Sequence, residues 1–342
     1  MRSLVIQTSF IGDVVLTTPL IARLAQDGDV DVVTTPPGAT LLATHPAVSR
    51  LFVYDKRAAD RGITSFLRVA RQSRGPRRAF LCQGSTRSGL LAFTAGCSDR
   101  VGFTTSAGRW TYTTRVEYRD DWHHARRLLS LGDMQLAGES SELASATIRP
   151  RLFPSDDDVL AVDRLLQHRN RPMLALAPGS AWHTKQWPGY GALAALLVAL
   201  LANDHDIAII GGPDDVAAAA EIKLRVPSER IIDAVGKLSL LGSAELIRRS
   251  AALATNDSSP QHLASAMGTP TVTIFGPTVP EFGFGPLAPG SRTVGNHALT
   301  CRPCDRHGPA VCPLGHWRCM NEISPDEVAA VMRSVIAEET VR

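Results

Sequence analysis

The chain is most informative between residues 254 and 278. It reads Ala254-Thr255-Asn256-Asp257-Ser258-Ser259-Pro260-Gln261-His262-Leu263-Ala264-Ser265-Ala266-Met267-Gly268, followed by Thr269-Pro270-Thr271-Val272-Thr273-Ile274-Phe275-Gly276-Pro277-Thr278. Asp257, Ser258 and Ser259 are N-cap residue types, and Pro260 suits the first helical position. The β-branched run that follows is typical of a short buried strand. A helix N-terminus beside a strand end favours an anion such as phosphate, although an ordinary capped helix has the same pattern.

Strands and helices alternate along the chain. Strands are predicted at residues 4–6, 30–34, 51–54, 79–82, 100–103, 173–177, 207–210, 231–232, 252–254 and 272–274, with helices between them. This alternation predicts the α/β class with parallel sheets. Because 342 residues can build two cores, we predict two doubly wound domains, at residues 1–155 and 172–325, with a linker helix at 156–171 and a C-terminal helix at 326–342.

The charges are distributed unevenly. The net charge of +3 gives no reason to expect nucleic acid as a partner. Residues 1–150 contain 19 Lys and Arg against 13 Asp and Glu, whereas the remaining residues contain 17 against 20. Residues 57–78 hold seven arginines interleaved with apolar residues. This segment is either a basic amphipathic helix that lies on anionic lipid or a solvated helix face.

Neither a signal peptide nor a membrane-spanning run is recognisable. The apolar run at residues 190–202 is shorter than the roughly 18 residues that a spanning helix needs. We therefore expect a cytoplasmic chain, with peripheral contact at the cytoplasmic face of the inner membrane as a further expectation. The six cysteines are expected to be unpaired there.

Two loops carry candidate chemical groups. Asp13 follows the first strand of the first predicted domain, at the edge where parallel sheets bind ligands. Lys185 follows the first strand of the second domain, between Trp182 and Trp187, where it can serve as a point charge for a diphosphate. The simpler interpretations are a helix N-cap for Asp13 and an exposed lysine beside a core tryptophan for Lys185.

Four motifs together resemble glycosyltransferase family 9, the ADP-heptose:lipopolysaccharide heptosyltransferases. They are Ser9-Phe10-Ile11-Gly12-Asp13, Pro178-Gly179-Ser180 with Lys185-Gln186-Trp187-Pro188, Asn256-Asp257-Ser258 with His262-Leu263-Ala264, and Phe275-Gly276-Pro277-Thr278. The resemblance extends over nearly the whole chain and is greatest to the heptosyltransferase II group. It implies a GT-B fold, in which two Rossmann-like doubly wound domains face a central cleft. The first domain would bind the acceptor and the second the nucleotide sugar.

The resemblance also implies roles for individual residues. Asp13 matches the family's general base. The donor-binding positions match Ser180, Lys185, Asp257, Ser258, Ser259 and His262, with Ser259 in place of the usual glycine. For the acceptor, a lipid A–Kdo core, we predict contacts from the polar and basic residues Ser85, Arg87, Arg57 and Arg61. The implied donor is ADP-L-glycero-D-manno-heptose.

The expected chemistry is transfer by single displacement. One carboxylate base on the acceptor side implies inversion at the anomeric carbon. Lys185 and the helix N-terminus near residue 260 can stabilise the departing diphosphate, so no divalent cation or cofactor is expected in catalysis. The Asp-x-Asp pairs at residues 29–31 and 156–158 are discounted because neither follows a strand in the required way. The alternatives are a transferase for another surface glycan, a sugar-nucleotide epimerase and a non-catalytic binding protein.

A separate group of cysteines lies near the C-terminus. Cys301, Cys304, Cys312 and Cys319 have the spacing C-x2-C-x7-C-x6-C. Four thiols so close in a cytosolic chain predict a structural zinc, with an iron–sulfur centre or free thiols packed in a loop as the alternatives. No role in the transfer chemistry is expected for them.

Overall fold

The computed structural model describes residues 2–56, 61–138, 147–201 and 205–340. The chain divides into two compact units, Met1–Phe153 and Pro154–Arg342. The helix that the sequence predicts as a linker belongs to the second unit. It is joined to that unit by the Ser239 hydroxyl, which donates to Asp158 at 2.5 Å, and by an ion pair of 2.6 Å between Arg249 and Asp163.

The first unit contains a six-stranded parallel sheet with the order β3-β2-β1-β4-β5-β6. Its strands are β1 (Ser3–Gln7), β2 (Val30–Thr34), β3 (Arg50–Val53), β4 (Arg78–Leu81), β5 (Asp99–Phe103) and β6 (Thr114–Val116). Its helices are α1 (Ile11–Ala25), α2 (Pro36–Leu42), α3 (Ile63–Gln72), α4 (Thr86–Thr94), α5 (His124–Ser130) and α6 (Met134–Gly138), with a 3-10 helix at Arg109–Thr111. The connections reverse direction at β1, which lies between β2 and β4, and such a switch point is where open α/β sheets bind ligands.

Helix α1 runs unbroken through Pro19. A proline inside a helix leaves the carbonyl four residues earlier without its usual amide donor. Here the Thr18 hydroxyl donates to that carbonyl, on Val15, at 2.8 Å. The sequence predicts that Thr17 or Thr18 caps the helix before Pro19 or that the helix kinks there. The cap prediction is wrong, because the helix already begins at Ile11 and the Thr18 hydroxyl replaces the missing donor.

The second unit contains another six-stranded parallel sheet, with the order β12-β11-β10-β7-β8-β9. Its strands are β7 (Met173–Ala177), β8 (Asp206–Ile209), β9 (Ile231–Asp233), β10 (Ala252–Asn256), β11 (Thr271–Ile274) and β12 (Arg292–Val294). Its helices are α7 (Asp156–Leu165), α8 (Tyr190–Leu200), α9 (Val216–Lys223), α10 (Leu240–Arg248), α11 (Ser259–Met267), α12 (Arg318–Asn321) and α13 (Pro325–Thr340). The switch point lies at β7, between β10 and β8, so both loops with candidate chemical groups begin at switch points.

The secondary structure departs from the predicted pattern at several places. The edge strands β6 and β12 are not predicted, because each has three residues and reads Thr-Arg-Val or Arg-Thr-Val without a clear apolar pattern. Helix α4 begins at Thr86, inside the polar stretch at residues 83–89, which the sequence predicts as a loop. Of the basic segment 57–78, residues 61–78 are described; they form a helix from Ile63 to Gln72 and end in strand β4. No helix in the described part of the chain has the length and apolar composition needed to cross a membrane.

Candidate functional site

Asp13 lies in the first turn of α1, directly after the end of β1. Its backbone carbonyl accepts a hydrogen bond of 2.7 Å from the Thr17 hydroxyl. That hydroxyl in turn accepts a hydrogen bond of 3.1 Å from the side-chain amide of Gln7. Gln7 is the last residue of β1, so the turn with Asp13 is tied back to the central strand. The Asp13 side chain is 19% exposed. The structure therefore places the predicted base at the ligand-binding edge of the first sheet, within reach of solvent.

His124 lies close to Asp13, a contact that the sequence did not indicate. Its Nε2 lies 3.7 Å from Asp13 Oδ1, and its side chain is 11% exposed. His124 is the first residue of α5, and the preceding His123 caps that helix by accepting from the Ala125 amide at 3.2 Å. Because α5 packs against α1, a residue over 100 positions away in sequence reaches the base. Only this tertiary contact distinguishes His124 from a surface histidine.

The Cys82 thiol lies near the same carboxylate. Burial raises the pKa of Cys82 far above its usual range, and the charge of Asp13 raises it further, against a hydrogen bond with Thr17. The sulfur is therefore a neutral thiol, and Asp13 is the group of this pair that can accept a proton.

A polar cluster lies beside this turn, at the carboxyl ends of β1 and β4. The Thr8 hydroxyl donates to Gln83 Oε1, which also accepts from Lys56 at 3.3 Å and from Ser88 at 3.3 Å. The Ser85 and Ser88 hydroxyls are 3.0 Å apart. This group of alternating donors and acceptors can bind hydroxyl-rich ligands.

The residues predicted to bind the acceptor lie in different environments. Ser85 is the N-cap of α4 and accepts from the Ser88 amide at 3.2 Å, so it belongs to the polar cluster. Arg87 is exposed on α4, and Arg61 is exposed just before α3. Arg57 lies outside the described residues. A role of these side chains in binding the acceptor stays a prediction.

In the second unit, Lys185 and Asp257 form a nearly buried ion pair. Lys185 Nζ lies 2.6 Å from Asp257 Oδ2, and the two side chains are 10% and 11% exposed. The same oxygen accepts from the Thr278 hydroxyl at 2.6 Å, and Asp257 Oδ1 accepts from the side-chain amide of Gln261 at 2.9 Å. An ammonium group has three donors, and Asp257 accepts one of them. The Asp257 carboxylate thus fixes Lys185 in position. The sequence predicts that both residues bind the donor, but it does not predict that they pair with each other.

Asn256 holds the loop that carries Lys185. Its side-chain amide donates to the carbonyl of Pro178 at 2.8 Å, and its Oδ1 accepts from the Trp187 amide at 3.2 Å. Asn256 is completely buried at the end of β10. A polar residue at the end of an apolar strand was the only sign of this role in the sequence. The partners of Asn256 could not be predicted, because they lie about 70 residues away.

The N-terminus of α11 lies next to this ion pair. Ser258 is the N-cap, and its side chain makes no capping hydrogen bond to any residue that the structure describes. Ser259 is the first helical residue, and His262 is buried in the first turn. In the loop after β7, the Ser180 hydroxyl accepts from the Trp182 amide at 3.3 Å. First-turn amides that no side chain caps are suited to phosphate oxygens.

The loop between β12 and α12 contains Cys301, Cys304 and Cys312, and we call it the cysteine-containing loop. It packs against Lys185. The Thr184 hydroxyl donates to the carbonyl of Pro309, and a Cβ added to Gly308 would lie 3.0 Å from Lys185 Cε. Gly308 has φ +86°, which also favours glycine. Arg302 fastens the loop by donating to the carbonyls of Phe275 at 2.9 Å and Thr278 at 3.0 Å. The loop therefore forms one wall around the lysine.

Cys301, Cys304 and Cys312 of this loop and Cys319 of α12 are all free thiols. Among the residues that the structure describes, no three His, Cys, Asp or Glu side chains are arranged to hold a metal ion. Backbone amides lower the pKa of Cys312, that of Trp317 most, followed by those of Leu314, His316 and Gly315. Burial raises the pKa of Cys319 to about 11, with further contributions from the other three thiols.

Comparison with known proteins points to a single group. The profile of glycosyltransferase family 9 (heptosyltransferase) matches residues 68–314. The lipopolysaccharide heptosyltransferase 2 of Salmonella typhimurium is 26% identical over 100% of both chains, and that of Escherichia coli K12 is 25% identical over 99% of both.

Solved structures show the same fold. The E. coli ADP-heptose lps heptosyltransferase II has a TM-score of 0.78 at 22% identity, over 99% of this chain and 100% of that one. A glycosyl transferase family 9 protein from Veillonella parvula has a TM-score of 0.83 at 20% identity, over 98% and 97%. These likenesses confirm the predicted GT-B class with two Rossmann-like domains.

Proposed function

Because the chain belongs to glycosyltransferase family 9 (heptosyltransferase), we propose that it transfers a heptose from ADP-L-glycero-D-manno-heptose to the inner core of lipopolysaccharide. The observation that supports the donor class best is the arrangement of Lys185, Asp257 and the N-terminus of α11. A lysine fixed by a carboxylate at 2.6 Å, beside open helix amides, matches the charge of a nucleoside diphosphate.

Asp13 acts as the general base in this proposal. Its carboxylate takes the proton of the acceptor hydroxyl while that oxygen forms a bond to the anomeric carbon of the heptose. The bond between the anomeric carbon and the ADP oxygen breaks, and ADP leaves with the electron pair. Attack opposite the leaving group inverts the anomeric configuration. The position of Asp13 at the end of β1 supports this role.

Lys185 stabilises the charge that develops on ADP as it leaves. The ion pair with Asp257 orients the ammonium group before the donor binds, so little reorganisation is needed in the transition state. The helix amides of α11 add a second cationic contribution. Together they supply the charge that a divalent cation supplies in metal-dependent transferases, which supports metal-independent catalysis.

The test is transfer in a purified system. The full chain is mixed with a deacylated Kdo-containing core acceptor and with ADP-heptose, UDP- or GDP-sugars, in the presence of EDTA. We expect a product larger by one heptose from ADP-heptose alone, with inverted configuration by NMR. Transfer only from another nucleotide sugar, retention of configuration or a requirement for a divalent cation would each contradict a stated part of the proposal.

The alternatives give different results in the same assay. An epimerase on this fold would convert the nucleotide sugar without any acceptor, and a transferase for another surface glycan would leave the lipopolysaccharide acceptor unchanged. Curated relatives named heptosyltransferase over the full chain length favour the transferase. We also place the chain in the cytoplasm, acting on a lipid A–Kdo acceptor at the inner membrane surface.

The cysteine-containing loop is proposed to hold a structural zinc. The backbone amides around Cys312 favour its thiolate form, which is the form that binds metal, and the charges of Cys304, Cys312 and Cys301 add to the burial that raises the pKa of Cys319. Elemental analysis of the purified chain should find zinc, and Cys312→Ser should release it. A chain that retains full stability with no bound metal would contradict this assignment.

A further inference from the structure

Five large apolar side chains are exposed on three neighbouring elements of the first unit. Helix α3 packs beside α4, and α4 packs beside the 3-10 helix Arg109–Thr111. The exposed fractions are 71% for Ile63, 45% for Leu67, 36% for Leu90, 62% for Phe93 and 63% for Trp110. We name these five residues the apolar face. Single exposed apolar residues are common, but several on adjacent elements indicate a binding surface.

Core packing does not explain the apolar residues of α3. The helix already buries a complete inward side, with Phe66, Val69 and Ala70 directed at the core. Ile63, Leu67 and Arg71 are spaced by four residues and share the outward side. A helix with leucine-type residues and arginines on its outward side is typical of a segment that lies at a lipid interface.

The charged residues in this part of the sequence are all of one sign. Residues 61–98 contain seven arginines and no Asp or Glu. Arg78 at the end of this segment is paired with Asp99 outside it at 2.5 Å. Arg68 and Arg71 line one shallow depression together with Leu67, and the Arg100 guanidinium lies 5.4 Å from the Phe93 ring centre. Cationic groups are therefore interleaved with the apolar face.

The position of the apolar face relates it to Asp13. In a parallel sheet, each helix starts near the carboxyl end of the strand before it. The N-terminal ends of α3 and α4 therefore lie at the edge of the sheet where β1 delivers Asp13. Ile63, the first residue of α3, lies at this edge, and Leu67 and Phe93 lie further along α3 and α4, away from it. A flat surface bound by the apolar face would therefore extend from the edge that carries Asp13.

We propose that the apolar face docks on an anionic phospholipid membrane. The apolar side chains enter the headgroup region, and Arg68 and Arg71 bind lipid phosphates. Charge complementarity favours this occupant over a second copy of the chain, because two such cationic faces would repel each other. The docking proposal rests on the proposed function in one respect: a lipid-linked acceptor explains why this face extends from the edge of the sheet that carries Asp13.

The experiment measures sedimentation of the full chain with vesicles of phosphatidylcholine, with and without phosphatidylglycerol. Three variants are compared: Ile63→Ser/Leu67→Ser/Phe93→Ser, Arg68→Gln/Arg71→Gln, and the matched control Leu160→Ser/Leu224→Ser. The control removes two leucines of the second unit that are 53% and 79% exposed. Circular dichroism and thermal unfolding confirm that each variant is folded.

We expect the wild type and the control to bind the anionic vesicles equally. The apolar variant should bind at least roughly 100-fold more weakly, because three side chains lose their burial in lipid. The arginine variant should bind roughly 10- to 30-fold more weakly at low salt, with the difference shrinking at high salt. Equal binding of the apolar variant, or no preference of the wild type for anionic vesicles, would overturn the proposal.

Two further readouts separate the possible failures. Transfer to a deacylated, soluble acceptor should be the same for all variants, since none of these residues belongs to the site. Vesicle binding without any transfer would leave the docking surface standing and refute the proposed function. A wild type that dimerises in solution without binding vesicles, together with a monomeric apolar variant, would assign this face to a second copy and overturn the lipid assignment.

Discussion

Asp13 is the residue on which the proposed transfer depends most directly. Replacing it with alanine removes the proton acceptor but leaves the second unit, with Lys185, unchanged. We expect turnover to fall by roughly 100- to 10,000-fold, the usual contribution of a general base, while affinity for ADP stays the same by calorimetry. Asp13→Asn, which keeps the shape, should be equally slow. Near-normal turnover of either variant would exclude Asp13 as the base.

His124 is expected to position Asp13 rather than to bind the donor. His124→Gln removes the imidazole whose Nε2 lies 3.7 Å from Asp13 and keeps a polar side chain of similar reach. The loss of one such contact should lower kcat about tenfold, with KM for ADP-heptose unchanged. His123→Gln, in the neighbouring cap, serves as the control. A rise in donor KM with unchanged kcat would contradict the positioning role.

Lys185 is the residue whose loss should weaken donor binding. Lys185→Ala removes a charge-assisted contact with the diphosphate and also leaves Asp257 without its ion-pair partner. Donor affinity should fall by about 1–3 kcal/mol, measured by calorimetry with ADP. Lys237→Ala, at an exposed surface ion pair, should bind ADP like the wild type. Unchanged affinity in Lys185→Ala would argue against a diphosphate site at this position.

Motifs in the sequence identify Asp13, Lys185 and Asp257 but not their partners. That Lys185 is paired with Asp257 follows from the adjacency of β7 and β10 in the folded sheet. The contact of His124 with Asp13 was missed for the same reason, because the two residues are over 100 positions apart in sequence. Asn256 belongs to one of the recognised motifs, but its contacts with Pro178 and Trp187 are over 65 positions away and no local pattern predicts them. The membership in glycosyltransferase family 9, by contrast, could be recognised from the motifs and is confirmed.

At the scale of elements, α1 depends on the hydroxyl of Thr18. Thr18→Val keeps the shape but removes the donor to Val15 and the acceptor of the Arg151 amide, which lies 3.0 Å away. Since both bonds are buried or half-buried, the free energy of unfolding should fall by about 1–3 kcal/mol, measured by urea denaturation. The exposed Thr40→Val in α2 should change it by less than about 0.5 kcal/mol. Equal stability of both variants would show that Pro19 needs no substitute donor.

The turn between α2 and β3 should make the first unit sensitive to acid. Burial lowers the pKa of His45 to about 4, while an unfolded histidine titrates near 6.5. The unfolded chain therefore binds the proton first, and stability is lost as the pH falls from about 6.5 towards 4, by up to about 3 kcal/mol. His45→Gln should flatten this part of the pH profile of urea denaturation. An unchanged slope would show that other groups cause the acid sensitivity.

The long central elements follow from apolar runs, and the short edge elements do not. Strands β1, β2, β7 and β10 are wholly buried, so their composition reveals them. Strands β6 and β12 exist because a neighbouring strand offers backbone partners, and helix α4 begins where Ser85 caps it. The local sequence of such an edge strand does not include the neighbouring strand with which it pairs, so it cannot predict the strand.

At the scale of the whole molecule, catalysis and the cysteine-containing loop should respond differently to chelators. EDTA is expected to leave the initial rate of transfer unchanged, because Lys185 and α11 supply the charge for the leaving group. Prolonged treatment with a stronger zinc chelator should lower the unfolding temperature of the second unit, since the loop packs on Lys185 and Thr278. A rate that falls at once and recovers with Mg²⁺ would contradict the metal-independent mechanism.

The composition of the basic segment has a consequence for regulation. Between residues 61 and 98 every cationic side chain is an arginine, and the segment contains neither lysine nor histidine. Arginine keeps its proton at any physiological pH, and lysine acetylation has no target here. The proposed attraction to lipid therefore does not change with physiological pH or with lysine acetylation, whereas ionic strength and the anionic lipid content of the bilayer alter it.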